Sequence, residues 1–151
     1  MIKEKQERFI EGKERNPLVI FAEGATSNGE YLLKFKKGPF ASLLPIQPYT
    51  INTHSMVISV ALNYAQFIKT HSLPNKTLNI DVYPVFEPNE YFWKTHWEPN
   101  QETEKKVDTY IRVMREIMIN GSGLKDGSAY TDIDRFRFIA AVEGRDLNDL
   151  K

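Results

Sequence analysis

The stretch between residues 18 and 40 carries residue types that suit binding of a small anionic group. An apolar run, Leu18-Val19-Ile20-Phe21, leads directly into Glu23-Gly24 and a polar loop. Three lysines follow in a second short segment: Lys34, Lys36 and Lys37. Backbone N–H groups of a glycine-containing loop can form a nest for an anion, and lysines can add charge-assisted hydrogen bonds. The pattern predicts a strand buried on both faces, and the loop at its end is compatible with anion binding.

A purely structural interpretation of the same stretch is also open. Asn28-Gly29 between two apolar runs is the sequence of a type I′ hairpin turn. Lysines along a strand edge protect it against pairing with other chains. Residue by residue this interpretation is favoured, and only a longer ordered series of motifs, described below, reverses the preference.

The other residue types that could support catalysis or metal binding are absent or are expected to have structural roles. The chain has no cysteine, which excludes disulfides, thiolate nucleophiles and thiolate zinc sites. His54, His71 and His96 are expected to be exposed or capping residues. The spacing of the acidic residues lacks the glycine and terminal glutamate of an EF-hand loop, so we expect turn and cap roles for Asp126, Asp132 and Asp134. No metal site is predicted.

Periodicity and turn residues predict the elements that must position these side chains. The first half contains an exposed helix over 2–15, the strand at 18–21 and an extended stretch over 43–51, whose prolines suit an edge strand or a strand end better than a strand interior. An amphipathic helix is expected over 55–70, and alternation predicts a strand over 77–86 with Leu78, Ile80 and Val82 on one face.

The second half is predicted to be mainly helical. Residues 87–100 are expected to form a loop, in which Trp93 and Trp97 cover the core or lie at a membrane interface. The helix over 101–119 has the clearest periodicity, and Gly121 is its expected left-handed stop. Thr131-Asp132-Ile133-Asp134 is typical of a capping arrangement that opens a last helix. Alternating strands and helices indicate an α/β fold.

The composition fits one ordinary globular domain. The 151 residues include 41% hydrophobic and 26% charged residues, with Lys+Arg and Asp+Glu both 20. A net charge of zero argues against a nucleic-acid partner, because phosphate contacts usually require a basic excess. The N-terminal MIKEKQERFIEGKER lacks the apolar core of a signal peptide, and no run of about 18 apolar residues is present. The sequence therefore predicts a soluble or peripheral chain.

Four motifs in order resemble the glycerolipid acyltransferase family, in particular its lysophosphatidylcholine branch. LVIFAEGATSNGEYLLKFKKGPF (18–40) is similar to the third conserved block, an apolar strand followed by Phe-Pro-Glu-Gly-Thr, then Ser/Thr-Asn-Gly and Phe-Lys-x-Gly-x-Phe. LPIQP (44–48) is similar to the fourth block, and DVYPVF with Pro88 resembles a later strand; the helix after it falls in the expected place. The resemblance covers most of residues 17–120.

The resemblance implies a fold and a set of roles. The fold would be the C-terminal half of an acyltransferase-type α/β domain, an incomplete mixed sheet flanked by helices, over residues 1–120, with a helical extension over 121–151. It implies a lysophospholipid or lysophosphatidate acceptor, acyl-CoA as co-substrate, no tightly bound cofactor, and association with the endoplasmic reticulum or another internal membrane. The implied headgroup-binding residues are Glu23, Gly24, Thr26, Lys36 and Gly38.

The sequence departs from the family pattern in two ways. Ala22 and Ala25 replace the usual Pro before Glu and Thr after Gly, and Thr26 is a candidate substitute for the lost hydroxyl. The family also uses a catalytic His with an Asp five positions later. The three histidines here are instead followed at that spacing by Ser59, Lys76 and Gln101.

These departures leave two hypotheses. In the first, the chain is part of an acyltransferase whose N-terminal half is missing from this sequence or lies on another chain, and the chain alone is inactive. That half would carry the catalytic His and Asp and the family's second conserved block, whose Arg also contacts the acceptor. In the second, it is a non-enzymatic interaction subunit derived from an acyltransferase, which packs against a protein partner.

Overall fold

The computed structural model describes residues 2–25, 27, 29–54, 77–97 and 105–145, together with Ala65, Ile68 and Ser72. The predicted helix over 55–70 and the candidate residue Thr26 lie outside these residues, the former apart from Ala65 and Ile68. The helices are α1 (Ile2–Ile10), α2 (Glu90–His96), α3 (Lys106–Ser122) and α4 (Asp132–Glu143), with a 3₁₀ turn at Gly38–Phe40. The strands are β1 (Tyr31–Leu33), β2 (Tyr49–His54), β3 (Thr77–Val82) and β4 (Lys125–Gly127).

The strands of the described residues form two small sheets. β1 runs parallel to β4, with Leu32 opposite Asp126. β2 and β3 are antiparallel, with Ile51 opposite Ile80, and an isolated bridge joins Ile46 to Phe86 beyond the end of this pair. This mixture of helices and small sheets is consistent with an α/β fold, although two two-stranded sheets stand where one mixed sheet was expected.

The core is built around α3. Tyr110 and Met114 on this helix are at most 1% exposed. The ring of Tyr110 lies 5.4 Å from that of Phe40 and 5.7 Å from that of Phe86, while its hydroxyl donates to the Leu44 carbonyl at 3.0 Å. One helix thereby holds together the turn after β1, the prolines before β2 and the segment after β3.

Two of the predicted helix ends were wrong. The first helix stops at Ile10 instead of reaching residue 15, and it carries an exposed ion pair between Lys3 and Glu7. Gly121 lies inside α3, and the left-handed stop is Gly123, with φ of 71°. Both glycines follow the periodic residues closely, so periodicity alone does not choose between them.

The apolar run Leu18–Phe21 does not form the predicted buried strand. It has no strand pairing, and the side chains of Val19 and Phe21 are 57% and 74% exposed. The hairpin interpretation is wrong as well, because Leu18–Phe21 does not pair with β1, the second apolar segment, which pairs in parallel with β4 instead; Asn28 of the expected turn lies outside the described residues. An apolar run indicates that a segment tends to be buried. A strand also needs a neighbouring strand whose backbone N–H and C=O groups can pair with its own.

One face of the β2–β3 pair is apolar and exposed. Residues directly opposite in an antiparallel pair share a face, which puts Ile51, Ile80 and Leu78 together; each is about half exposed. The prediction that β3 is a strand with its apolar residues on one face is confirmed, but the strand ends at Val82 instead of reaching residue 86. The opposite face is polar, and Thr50 is buried there and donates to the Asp81 carboxylate at 3.0 Å.

The aromatic stretch predicted as a loop contains helix α2 instead. Asn89 caps it by accepting a hydrogen bond from the Phe92 N–H at 2.9 Å, a signal present in the sequence as Asn-Glu-Tyr-Phe. Trp93 packs against the core, and the Lys106 ammonium lies over the rings of Trp93 and Trp97. None of the helices in the described ranges has the length and apolar character needed to cross a membrane.

Candidate functional site

The Glu23-Gly24 pair forms a tight turn beside β1. Gly24 has φ of 71°, a left-handed conformation that favours glycine, and its N–H donates to the Phe21 carbonyl at 3.2 Å. The Lys36 N–H donates to the Ala22 carbonyl at 2.7 Å. The turn is therefore tied by its backbone to the segment that carries Lys36, twelve residues further on.

The Glu23 carboxylate holds the turn against β1. Its Oε1 accepts a hydrogen bond from the Leu33 N–H at 2.6 Å, and its side chain is partly buried. Burial raises the pKa of the Glu23 carboxyl above its ordinary value, while the Leu33 hydrogen bond and the Arg115 charge oppose that rise. Because Oε1 already accepts the Leu33 N–H, the Glu23 side chain holds the loop in its conformation.

Arg115, on α3, completes the same corner. Its guanidinium is 7% exposed and donates to the carbonyls of Leu33 and Leu32, the latter at 2.9 Å. It also forms an ion pair with Asp126 on β4 at 2.6 Å. The sequence analysis missed this residue. The signal available was an arginine directly beside Met114, on the face of α3 that supplies the core.

Lys36 lies against Gly24 and reaches a carboxylate on α4. A Cβ built on Gly24 would stand 3.0 Å from the Lys36 Cε, so the stem of this side chain occupies the space that glycine leaves open. The Lys36 ammonium contacts the two oxygens of Asp132 at 2.8 and 2.7 Å. The hydrogen bond from Lys36 holds the pKa of the Asp132 carboxyl below its ordinary value.

The structure thus brings together three of the five sequence-predicted headgroup residues. Glu23, Gly24 and Lys36 form one cluster, hereafter the Glu23–Lys36 corner. Gly38 instead opens the 3₁₀ turn, where a Cβ would meet the Ile2 side chain at 3.7 Å. Lys37, next to Gly38, forms an ion pair with Asp108 at 2.6 Å.

Two of the three acidic residues with expected turn and cap roles, Asp126 and Asp134, take them, although Asp126 also pairs with Arg115. Asp132 instead pairs with Lys36. Asp126 accepts hydrogen bonds from the backbone and hydroxyl of Ser128. Asp134 accepts from the Thr131 N–H at 2.8 Å, in the capping box that opens α4. Across the described ranges, no three side chains of the metal-binding types come together.

The histidine that the structure describes in full has a packing role. The ring of His96 lies 5.2 Å from the ring of Phe92, and its carbonyl accepts a hydrogen bond from Arg112. The side chains of His54 and His71 fall outside what the structure describes. The arrangement offers a cation beside a glycine turn for binding an anion, and the carboxylate of the Glu23–Lys36 corner is engaged by the Leu33 N–H.

Comparison with known proteins identifies two distant relatives. The chain is 24% identical over 106 residues to the lysophospholipid acyltransferase LPEAT2 of Arabidopsis thaliana, which covers 65% of this chain and 19% of that protein. It is 30% identical over 95 residues to the lysophospholipid acyltransferase LPCAT4 of Mus musculus, which covers 59% of this chain and 18% of that protein.

The match is therefore partial on both sides. The chain spans less than a fifth of the length of the curated relatives. No protein-family model matches it, and no solved structure matches it either. These comparisons support a distant relationship, over part of this chain, to lysophospholipid acyltransferases.

Proposed function

We propose that this chain supplies the acceptor-binding part of a phospholipid acyltransferase, with the Glu23–Lys36 corner receiving the phosphate of a lysophospholipid. The observation that carries the proposal is the contact of the Lys36 side chain with the left-handed Gly24 turn. It places the methylene stem of a lysine against a backbone without a Cβ, with the ammonium at the end of that stem on Asp132, within the segment that resembles the acyltransferase headgroup block.

The charge arrangement allows the Lys36 ammonium to leave Asp132 and bind a phosphate. The Lys36 side chain is 53% exposed, so its ion pair with Asp132 is in contact with solvent. Exposed ion pairs hold their partners weakly. A phosphate can then accept from the same ammonium, since it presents several strong acceptor oxygens to a point charge. Glu23 keeps the turn closed through Leu33 while this occurs.

Acceptor binding and acyl transfer would be performed by different parts of the enzyme. Acyl transfer from acyl-CoA to the acceptor hydroxyl requires a base to remove its proton. None of the three histidines in the sequence has an Asp five positions later. We therefore expect the 151 residues alone to bind the acceptor at an internal membrane without turning it over. The catalytic pair would come from sequence outside these residues.

Equilibrium binding tests this function. Isothermal titration calorimetry would use dodecanoyl lysophosphatidate and dodecanoyl lysophosphatidylcholine below their micelle concentrations. Lys36→Gln removes a hydrogen bond to a charged group, about 1.5–3 kcal/mol, which corresponds to roughly ten- to hundredfold weaker binding. The matched control is Lys94→Gln, which removes the same charge from an exposed pair with Glu90 on α2.

The control should bind as the unaltered chain does. No saturable binding of either lysophospholipid by the unaltered chain would refute the proposal. Equal affinities of the Lys36→Gln and Lys94→Gln variants would remove Lys36 from the site.

The second candidate is a non-catalytic subunit that packs against a protein partner. The observation that favours it is the exposure of Leu18, Val19 and Phe21, three apolar side chains in one unpaired segment. Sedimentation of the isolated chain tests it. A compact monomer at all concentrations, with no lysophospholipid-dependent change, would count against a subunit that requires a partner to cover this segment.

A further inference from the structure

Among the described residues, Arg115 is a buried charged side chain to which the proposed headgroup site gives no contact with the ligand. Its guanidinium has five donors in a rigid planar fork, and in this structure it bonds the carbonyls of Leu32 and Leu33 and the carboxylate of Asp126. Its face also lies 5.1 Å from the centre of the Phe35 ring. A buried arginine with this many partners fixes backbone position, because moving it would leave carbonyls and a charge unsatisfied.

Leu33 connects Arg115 to the Glu23–Lys36 corner. The Leu33 carbonyl accepts from Arg115, and the Leu33 N–H donates to the Glu23 carboxylate. Both backbone groups of one residue are therefore bonded by charged side chains of opposite sign. The peptide segment between them transmits any displacement of Arg115 to the Glu23 turn.

We propose that Arg115, anchored by Asp126, is a positioning residue that fixes the Glu23–Lys36 corner through the backbone of Leu33. The inference rests on the proposed function for its effect on lysophospholipid binding, whereas its effect on Glu23 is independent of any ligand. Charged side chains approach the corner from four elements: Arg115 from α3, Asp126 from β4, Asp132 from α4 and Lys36 from the segment after β1.

The amide of Leu33 provides a direct readout. An amide that donates to a carboxylate changes its chemical shift as that carboxylate titrates, so ¹⁵N NMR of Leu33 follows the protonation of Glu23. In Arg115→Gln the midpoint should move to higher pH, because the positive charge that favours ionised Glu23 is gone. Arg115→Lys keeps the charge but cannot bond three acceptors in the same geometry, so its midpoint should stay near that of the unaltered chain.

Lysophospholipid binding gives the second readout. Both Arg115 variants should bind dodecanoyl lysophosphatidate about three- to tenfold more weakly, as expected for one hydrogen bond lost from the support of the turn. Asp126→Asn removes the anchor at a side chain that is 60% exposed and should show the same loss with the fold retained. Lys125→Gln, on the same strand beside exposed Glu30, is the control and should change neither readout.

The outcomes separate the two proposals. A folded Arg115→Gln variant with an unchanged Leu33 midpoint and unchanged affinity would overturn the positioning role. If that variant does not fold, unaltered affinity in both Arg115→Lys and Asp126→Asn would overturn it. Absence of binding by the unaltered chain would refute the headgroup site alone, and the Leu33 titration would still decide whether Arg115 governs Glu23.

Discussion

Gly24→Ala would disturb the Glu23–Lys36 corner with a single methyl group. The backbone there has φ of 71°, and the new Cβ would stand 3.0, 3.6 and 3.9 Å from the Cε, Cγ and Cδ atoms of Lys36. Two costs therefore add: the left-handed backbone, and displacement of a lysine stem whose end is held by Asp132. The backbone cost is about 1–2 kcal/mol.

Gly12→Ala isolates the backbone cost. Gly12 has the same φ of 71°, and a Cβ there would have nothing within 4 Å. We expect Gly12→Ala to lower the free energy of unfolding by about 1–2 kcal/mol, or a melting temperature by roughly 2–8 °C in a chain of this size. Gly24→Ala should lower the free energy of unfolding by more than Gly12→Ala does. The difference between the two variants measures the unfavourable contact of the new Cβ with the Lys36 side chain.

Urea unfolding of four variants tests the reasoning. The set is Gly12→Ala, Gly24→Ala, Lys36→Ala and the double variant at 24 and 36. The excess cost at Gly24 should disappear when Lys36 is already alanine, because the stem is absent. Free energies of unfolding that agree within about 0.5 kcal/mol for the two glycine variants would refute a contact between the new Cβ and Lys36. Persistence of the excess cost in the double variant would refute it as well.

Two further predictions concern the helices around the site. Gly121→Ala should destabilise the protein by about 1–3 kcal/mol despite alanine's better helix propensity. The new Cβ would overlap the Tyr83 ring, whose hydroxyl donates to the Met118 carbonyl. Thermal unfolding checks this prediction, and a gain in stability would contradict it. The pKa of Asp134 lies below its ordinary value, chiefly through the Thr131 N–H. The stability that this carboxylate contributes is therefore present above its unfolded-state pKa and is lost as the pH falls through the lowered folded-state pKa. Asp134→Asn should have a lower denaturant midpoint than the unaltered chain at pH 7, and this difference should shrink as the pH is lowered; a difference that does not change with pH would contradict the assignment.

Local signals in the sequence were sufficient for several elements. The capping box at Thr131–Asp134 opens α4 as predicted, because its hydrogen bonds join residues three apart. Helix α3 and strand β3 were also recognised, since the first has a long apolar stripe and the second alternates regularly. Such features depend on neighbours along the chain and need no knowledge of the tertiary structure.

Features that depend on distant partners were not recognised. Leu18–Phe21 has the composition of a buried strand, but no strand pairs with it in the structure. The candidate site shows the same division. Glu23, Gly24 and Lys36 were identified from a motif of contiguous residues, whereas Arg115 and Asp132 lie about 80 to 100 residues away and meet the motif only through folding.

The most direct test of the central claim is to map lysophospholipid binding on the chain by ¹⁵N NMR. Titration with dodecanoyl lysophosphatidate should shift the backbone amides of Glu23, Gly24 and Lys36 with one common dissociation constant. The same shifts should be strongly reduced in Lys36→Gln and retained in Lys94→Gln. Saturable shifts centred instead on the exposed apolar face of β2 and β3, with the amides of the corner unmoved, would contradict the account.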